Sequence, residues 1–158
     1  MRALIRWGYI IFSTVSLFAH AQELESLEQY IHRKPLFISD KNDTLYVASR
    51  CSALYLVLST RIEEAAKTKD LKSTIKEYED RAVTFNQVRT ILSKATGSSV
   101  DMSMKQQKDF AKTYADLTLR NWKYGGDIFS GIIEQDFGVC RDNFPDFKKL
   151  AINLSKDN

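Results

Sequence analysis

The feature that most constrains the fold is a pair of cysteines, each lying inside an apolar stripe of helical spacing. Between positions 43 and 66, apolar side chains recur every three or four residues: Val47, Cys51, Leu54, Tyr55, Leu58, Ile62 and Ala65. This spacing places them along one face of an α-helix. Cys140 lies in a similar stripe with Phe129, Ile133 and Phe137. We therefore expect two distant helices to meet in an all-helical core, joined by a Cys51–Cys140 disulfide.

The first 21 residues predict an export signal. Two arginines precede the apolar run 7–19, and Ala19-His20-Ala21 is a small-x-small cleavage site. This arrangement is typical of a signal peptide cut before Gln22, and the run is shorter than the roughly 20 apolar residues that a spanning helix needs. An uncleaved anchor is the alternative. The prediction is a signal peptide over 1–21 and a single domain over 22–158, in the periplasm or outside the cell.

Export bears on the two cysteines, because thiols in oxidising compartments pair more often than not. Cys51 and Cys140 lie 89 positions apart. Closing a loop of that length stabilises a fold by about 4 to 5 kcal/mol, if the entropy of the unfolded chain dominates. The alternative is two separate buried thiols that pack as small hydrophobic groups.

The charge balance argues against binding to nucleic acid. The whole chain carries 23 basic and 20 acidic residues, and two of the arginines belong to the predicted signal. The remaining domain is close to neutral, so it has no electrostatic footprint for nucleic acid or for an anionic membrane. We expect no nucleic-acid partner, and no stable membrane anchor once the signal has been cleaved.

Apolar spacing predicts an all-α fold, a four-helix-type bundle with short extra terminal helices. The four main helices are predicted over about 43–69, 71–95, 104–123 and 128–141. A short helix is predicted over 22–30. Another is predicted from Pro145 to about Ser155, because proline is favourable in a first helical turn.

No pattern predicts catalysis or metal binding. After the predicted signal the chain holds one histidine, His32, in a predicted loop, and both cysteines are expected to be paired. A nucleophile–histidine site or an ordinary zinc site needs more than this. The segment Asp40–Asp43 is too short to supply the spaced ligands of an EF-hand. We therefore assign no catalytic residue, no metal and no cofactor, and a hydrolase that uses carboxylates alone remains an alternative.

Two charged residues are candidates for a structural ion pair. Arg50 immediately precedes Cys51, and Asp136 lies one helical turn before Cys140. A disulfide would bring the two charges into one neighbourhood, where a pair can fix the register of two helices. The alternative is two unrelated surface charges.

Three aromatic residues are candidates for a ligand or partner patch. Trp122 and Tyr124 lie beside the glycine pair 125–126, and Tyr46 lies on the first long helix. Aromatic side chains beside a flexible turn can frame a pocket or an interaction surface. Ordinary packing between helices is the alternative.

Together these features favour an exported, non-enzymatic protein that binds a macromolecule, most simply another protein of the envelope or exterior, in an inhibitor, immunity-type or envelope accessory role. The alternatives are a small-ligand carrier with a pocket near Trp122 and Tyr124, and a carboxylate-only hydrolase. An apolar cavity would favour the carrier and an exposed apolar patch the binder. Two acids facing each other about 5 to 9 Å apart would favour the hydrolase.

Overall fold

Five α-helices make up the part of the chain described by the structure, a computed structural model that covers residues 24–65 and 71–156. They are α1 (Leu27–Arg33), α2 (Lys41–Ala65), α3 (Lys72–Ala95), α4 (Val100–Gly125) and α5 (Ile132–Lys156), with a 3-10 turn at Phe37–Ser39 between α1 and α2. These ranges contain no β-strand. The predicted all-α bundle is confirmed. The predicted signal peptide lies outside the described residues.

Two of the long helices begin earlier than predicted, because a side chain caps the N-terminus of each. The Asp40 carboxylate accepts hydrogen bonds from the backbone N–H groups of Asn42 and Asp43, at 2.8 and 2.9 Å. At α4, the Ser99 hydroxyl accepts from the backbone N–H of Met102 at 3.1 Å. Such oxygens satisfy N–H groups that have no partner inside the helix, so each helix begins directly after its cap.

The prediction of a helix boundary at Pro145 is wrong. α5 continues through it, so the two predicted helices over 128–141 and 145–155 are largely one. Cys140 before the proline and Phe147 after it are both fully buried in the same core. Packing on both sides thus outweighs the backbone hydrogen bond that proline cannot donate. The helix also begins later than predicted, because Gly131 at φ 58° belongs to the preceding turn.

The core surrounds α2, which packs against α3, α4 and α5. The apolar stripe is buried as predicted from Val47 to Leu58, with Cys51, Leu54, Tyr55 and Leu58 fully inaccessible to solvent, whereas Ile62 is half-buried. An aromatic cluster joins three of the helices: Tyr55 of α2 lies 5.9 Å from Phe85 of α3, which lies 4.8 Å from Phe147 of α5 between ring centroids. Burying side chains of this size contributes about 1.5 to 3 kcal/mol each.

Within the described ranges, none of the helices is apolar over a sufficient length to cross a membrane.

Candidate functional site

The two cysteines form a buried disulfide between α2 and α5. The Cα atoms of Cys51 and Cys140 lie 5.5 Å apart, and neither residue is accessible to solvent. The bond therefore acts as an internal crosslink between the central helix and the last one.

The two charged residues singled out from the sequence meet directly beside this disulfide. The Arg50 guanidinium and the Asp136 carboxylate are in contact, and both side chains are fully buried. Tyr114 of α4 completes the cluster, because its hydroxyl accepts a hydrogen bond from Arg50 Nε at 2.9 Å and donates one to Asp136. Three helices are thus joined through one buried polar network.

The chain around the start of α1 closes the remaining side of this network. Arg50 Nη1 donates to the backbone carbonyl of Glu25 and to the Tyr46 hydroxyl, the latter at 3.1 Å. The backbone N–H of Leu27 donates to Asp136. The charged groups therefore have hydrogen-bond partners in place of water, which a buried ion pair requires.

Burial sets the direction of the pKa shift for two of the three groups in the network. It raises the pKa of Asp136 above its usual value, against the opposing influence of Arg50, Tyr114 and the Leu27 N–H. It also raises the pKa of Tyr114 well above its usual value, which keeps that hydroxyl protonated as a donor. Although burial alone lowers the pKa of Arg50, the neighbouring Tyr114 and Asp136 raise it overall. Since Arg50 and Asp136 are closed to solvent, the network positions helices and offers no surface for a substrate.

The predicted aromatic patch is wrong as a single surface. Tyr46 packs at the other end of the bundle, 4.5 Å from the Tyr30 ring and 5.6 Å from the Phe110 ring between centroids. Phe110 precedes Trp122 on α4 by about 12 residues, or roughly 18 Å along the helix axis. The sequence could not reveal this separation, because it depends on how α2 and α4 lie side by side.

Trp122 instead lines an apolar groove at the far end of the bundle. Its neighbours there include Ile62 of α2, Leu71 before α3, Leu119 of α4 and Ile128 after α4, and the groove encloses about 460 Å³. We call it the Trp122 groove. Trp122 is 61% and Leu119 57% exposed, a large apolar exposure for adjacent turns of one helix. Tyr124 is 77% exposed beside the Lys123 ammonium and is not part of the lining.

The wall of the groove is built by the turn that follows α4. Gly126, at φ 71°, reverses the chain, and its N–H donates to the Trp122 carbonyl at 3.0 Å. Asn121 Nδ2 then donates to the carbonyl of Ser130 at 3.0 Å and more weakly to that of Ile128. These bonds hold the returning chain beside the helix, so contacts within the chain fix the wall of the groove. Neither Asn121 nor Leu119 was singled out by the sequence.

Charged residues lie at the margin of the groove. Arg61 and Glu64, one turn apart on α2, form an ion pair at 2.8 Å. Asp127 lies in the opposite wall, where its carboxylate accepts from the backbone N–H of Phe129 at 2.8 Å. The groove thus combines an apolar floor with a polar rim, an arrangement common in protein–protein interfaces.

The acids considered for hydrolysis do not face a common cleft. Glu134 is exposed, whereas Asp136 is buried in the network with Arg50. Glu63 and Glu64 are adjacent and exposed on α2. Over the described ranges, no group of three or more histidine, cysteine, aspartate or glutamate side chains could hold a metal ion.

No protein-family model, curated protein or solved structure matches this chain.

Proposed function

We propose that this protein is a non-enzymatic binding protein, which seats apolar side chains of another protein in the Trp122 groove. One observation carries the proposal: Trp122 and Leu119, 61% and 57% exposed, lie together on the border of an open apolar groove. Tryptophan is among the residues that contribute most to binding energy in protein interfaces.

The openness of the groove favours a protein partner over a small molecule. Ligand pockets bury roughly 70 to 90% of a small ligand's surface. Trp122 and Leu119, which border this groove, are themselves more than half exposed. A small molecule bound beside them would therefore remain largely in water. A protein partner would cover the outer side as well, with the Arg61–Glu64 pair and Asp127 at the polar rim.

The scaffold supports this role through its rigidity. The disulfide and the Arg50–Asp136 pair join α2 to α5 in the core. Gly126 and Asn121 hold the groove wall in place. A preformed surface loses less conformational entropy on binding than a flexible one. The disulfide also supports action in an oxidising compartment, so we propose a partner in the periplasm or outside the cell.

A small-ligand carrier is the second candidate. The groove volume of about 460 Å³ falls within the range of about 300 to 1,000 Å³ that is typical of ligand pockets. An apolar ligand held there would contact Trp122 and Leu119. Intact-mass analysis of the protein under non-denaturing conditions would reveal such a ligand as added mass.

Site-specific photo-crosslinking tests the proposal. A photoreactive phenylalanine analogue replaces Leu119 in the groove in one variant. In the matched control it replaces Val83 of α3, which is 65% exposed and outside the groove. In cells that express the protein, we expect the first variant alone to form a covalent adduct with one defined protein. The same adducts from both positions, or none from position 119, would contradict partner binding through the groove.

A further inference from the structure

Two of the arginines that the structure describes are buried, and their surroundings differ. Arg50 is fully buried, and its hydrogen-bond acceptors include the Asp136 carboxylate and a backbone carbonyl. Arg89 of α3 is only 4% exposed, and it has no acidic partner among the described residues. Buried charges in proteins are normally paired, because an isolated one loses its hydration without compensation.

The hydrogen bonds of Arg89 all go to neutral oxygens. Nε donates to Asn86 Oδ1 at 3.0 Å, Nη1 to Ser103 Oγ at 2.6 Å and Nη2 to Thr90 Oγ1 at 3.3 Å. A guanidinium carries five N–H groups, so two of them have no acceptor among the residues that the structure describes. Burial lowers the pKa of Arg89, and no neighbouring charge counteracts this. Among the described residues, the Arg89 guanidinium therefore has no negative partner, and two of its N–H groups can still donate hydrogen bonds.

The guanidinium lies directly behind the wall of a surface cavity. Ser103 of α4, which accepts from Arg89, lines a cavity of about 470 Å³ together with Ser98, Lys105 and Gln106. Because the Ser103 oxygen accepts from Arg89, its own hydrogen is available to a group inside the cavity. We call this space the Arg89 cavity.

The balance of polar groups in the Arg89 cavity suits an anion. The hydroxyls of Ser98 and Ser103, the Lys105 ammonium and the Gln106 amide can all donate hydrogen bonds. The first turn of α4 adds a favourable dipole for negative charge, part of which Asp101 in that turn already offsets. Asp109, exposed at the cavity margin, is the opposing group. With Arg89 behind Ser103, the cationic groups of the site outnumber this one acid.

We propose that the Arg89 cavity binds a tetrahedral oxyanion of the phosphate class, free or as a monoester, which supplies the missing counter-charge of Arg89. Such an anion offers several acceptor oxygens, and arginine is well suited to phosphate recognition. The site lies at the α3–α4 turn and shares no lining residue with the Trp122 groove. It is therefore independent of the proposed partner binding.

Phosphorus NMR and thermal unfolding test this site with inorganic phosphate as the probe. Ionic strength is held constant, with chloride as the reference anion. Under these conditions we expect saturable binding of phosphate to the wild-type protein by phosphorus NMR. We also expect phosphate to raise its melting temperature by several degrees. Arg120→Met, which removes an exposed arginine from α4, should behave like the wild type. Arg89→Met should lose the saturable binding and the specific part of the shift. The comparison between variants matters because phosphate stabilises many proteins by exclusion from their surface.

A second variant keeps the test decisive if Arg89→Met does not fold. Ser103→Ala removes the hydroxyl between the guanidinium and the cavity, and we expect about a tenfold loss of phosphate affinity, the effect of one hydrogen bond to a charged group. Repeating the titration with glycerol phosphate distinguishes a free ion from an esterified one. An equal response of the wild type and the available cavity variant, or no saturable binding, would mean a general salt effect and would overturn the site.

Discussion

The Arg50 guanidinium and the Asp136 carboxylate are in direct contact, although 86 positions separate them in the chain, and both side chains are fully buried. Arg50 is the neighbour of Cys51, and Asp136 lies one turn before Cys140, to which Cys51 is bonded. α2 and α5 are therefore joined twice at one level, once by a covalent bond and once by an ion pair. A slip of either helix by one turn would break both contacts.

Removing the carboxylate of this pair should strongly destabilise the folded protein. Asp136→Asn leaves the Arg50 charge buried without its counter-ion, and we expect a loss of about 3 to 5 kcal/mol in the free energy of unfolding. Urea unfolding measures this change. Asp142→Asn is the matched control, since Asp142 pairs with Arg141 at the surface and exposed pairs of this kind contribute little to stability. Equal stabilities of the two variants would show that the buried pair does not hold the helices.

The disulfide should contribute strongly to stability and be resistant to reduction in the folded protein. Replacing both Cys51 and Cys140 by alanine should lower the free energy of unfolding by about 2 to 5 kcal/mol, because the unfolded chain gains freedom. Since neither residue is accessible to solvent, alkylation under reducing conditions should become rapid only when the protein unfolds. Rapid labelling of the native protein would show that this core opens readily.

The adjacent glycines 125 and 126 should respond differently to replacement by alanine. Gly126 has φ 71°, so Gly126→Ala should cost about 1 to 2 kcal/mol through backbone strain. Gly125 is the last residue of α4 and has open space around its Cα. Gly125→Ala should therefore be neutral or stabilising, by at most about 1 kcal/mol. Thermal or urea unfolding of the pair provides the comparison, and equal losses would contradict the left-handed cap at position 126.

Lowering the pH should remove a contribution that Asp43 makes to the stability of the folded protein. The Tyr30 hydroxyl donates to its carboxylate at 2.7 Å and, with Lys34, lowers the pKa of Asp43 below its usual value. A lowered pKa in the folded state stabilises the protein above the pKa of the unfolded chain, about 3.9, and this stabilisation is lost as pH falls through the folded value. Tyr30→Phe should raise the pKa of Asp43 in an NMR titration. The stability difference between Tyr30→Phe and the wild type should shrink as the pH is lowered through this range. A difference that stays constant with pH would contradict the linkage.

Helical periodicity made most of the fold predictable from the sequence. The stripe around Cys51 is buried because the side chains that recur every three or four residues face the core. The Arg50–Asp136 contact followed from the same stripes, since a disulfide brings the neighbours of both cysteines together.

The predictions from sequence were wrong at positions where tertiary packing, and not local propensity, determines the structure. Pro145 lies inside α5 because Phe147 and Ala151 beyond it are buried in the core, and local propensity does not contain that contribution. The grouping of Tyr46 with Trp122 was wrong because proximity between two helices depends on their direction and register. The groove itself needs the returning chain held by Asn121, whose side chain bonds to a carbonyl nine positions later, a contact that apolar periodicity does not signal.

The affinity of the protein partner captured by crosslinking gives the most direct test of binding through the Trp122 groove. We predict that Trp122→Ala weakens this affinity by about 30-fold, the effect of losing a 2 kcal/mol interface hot spot. Val83→Ala, at an exposed apolar residue outside the groove, should leave it within about twofold, since peripheral contacts contribute little. An unchanged affinity for Trp122→Ala in a folded protein would contradict partner binding through this groove.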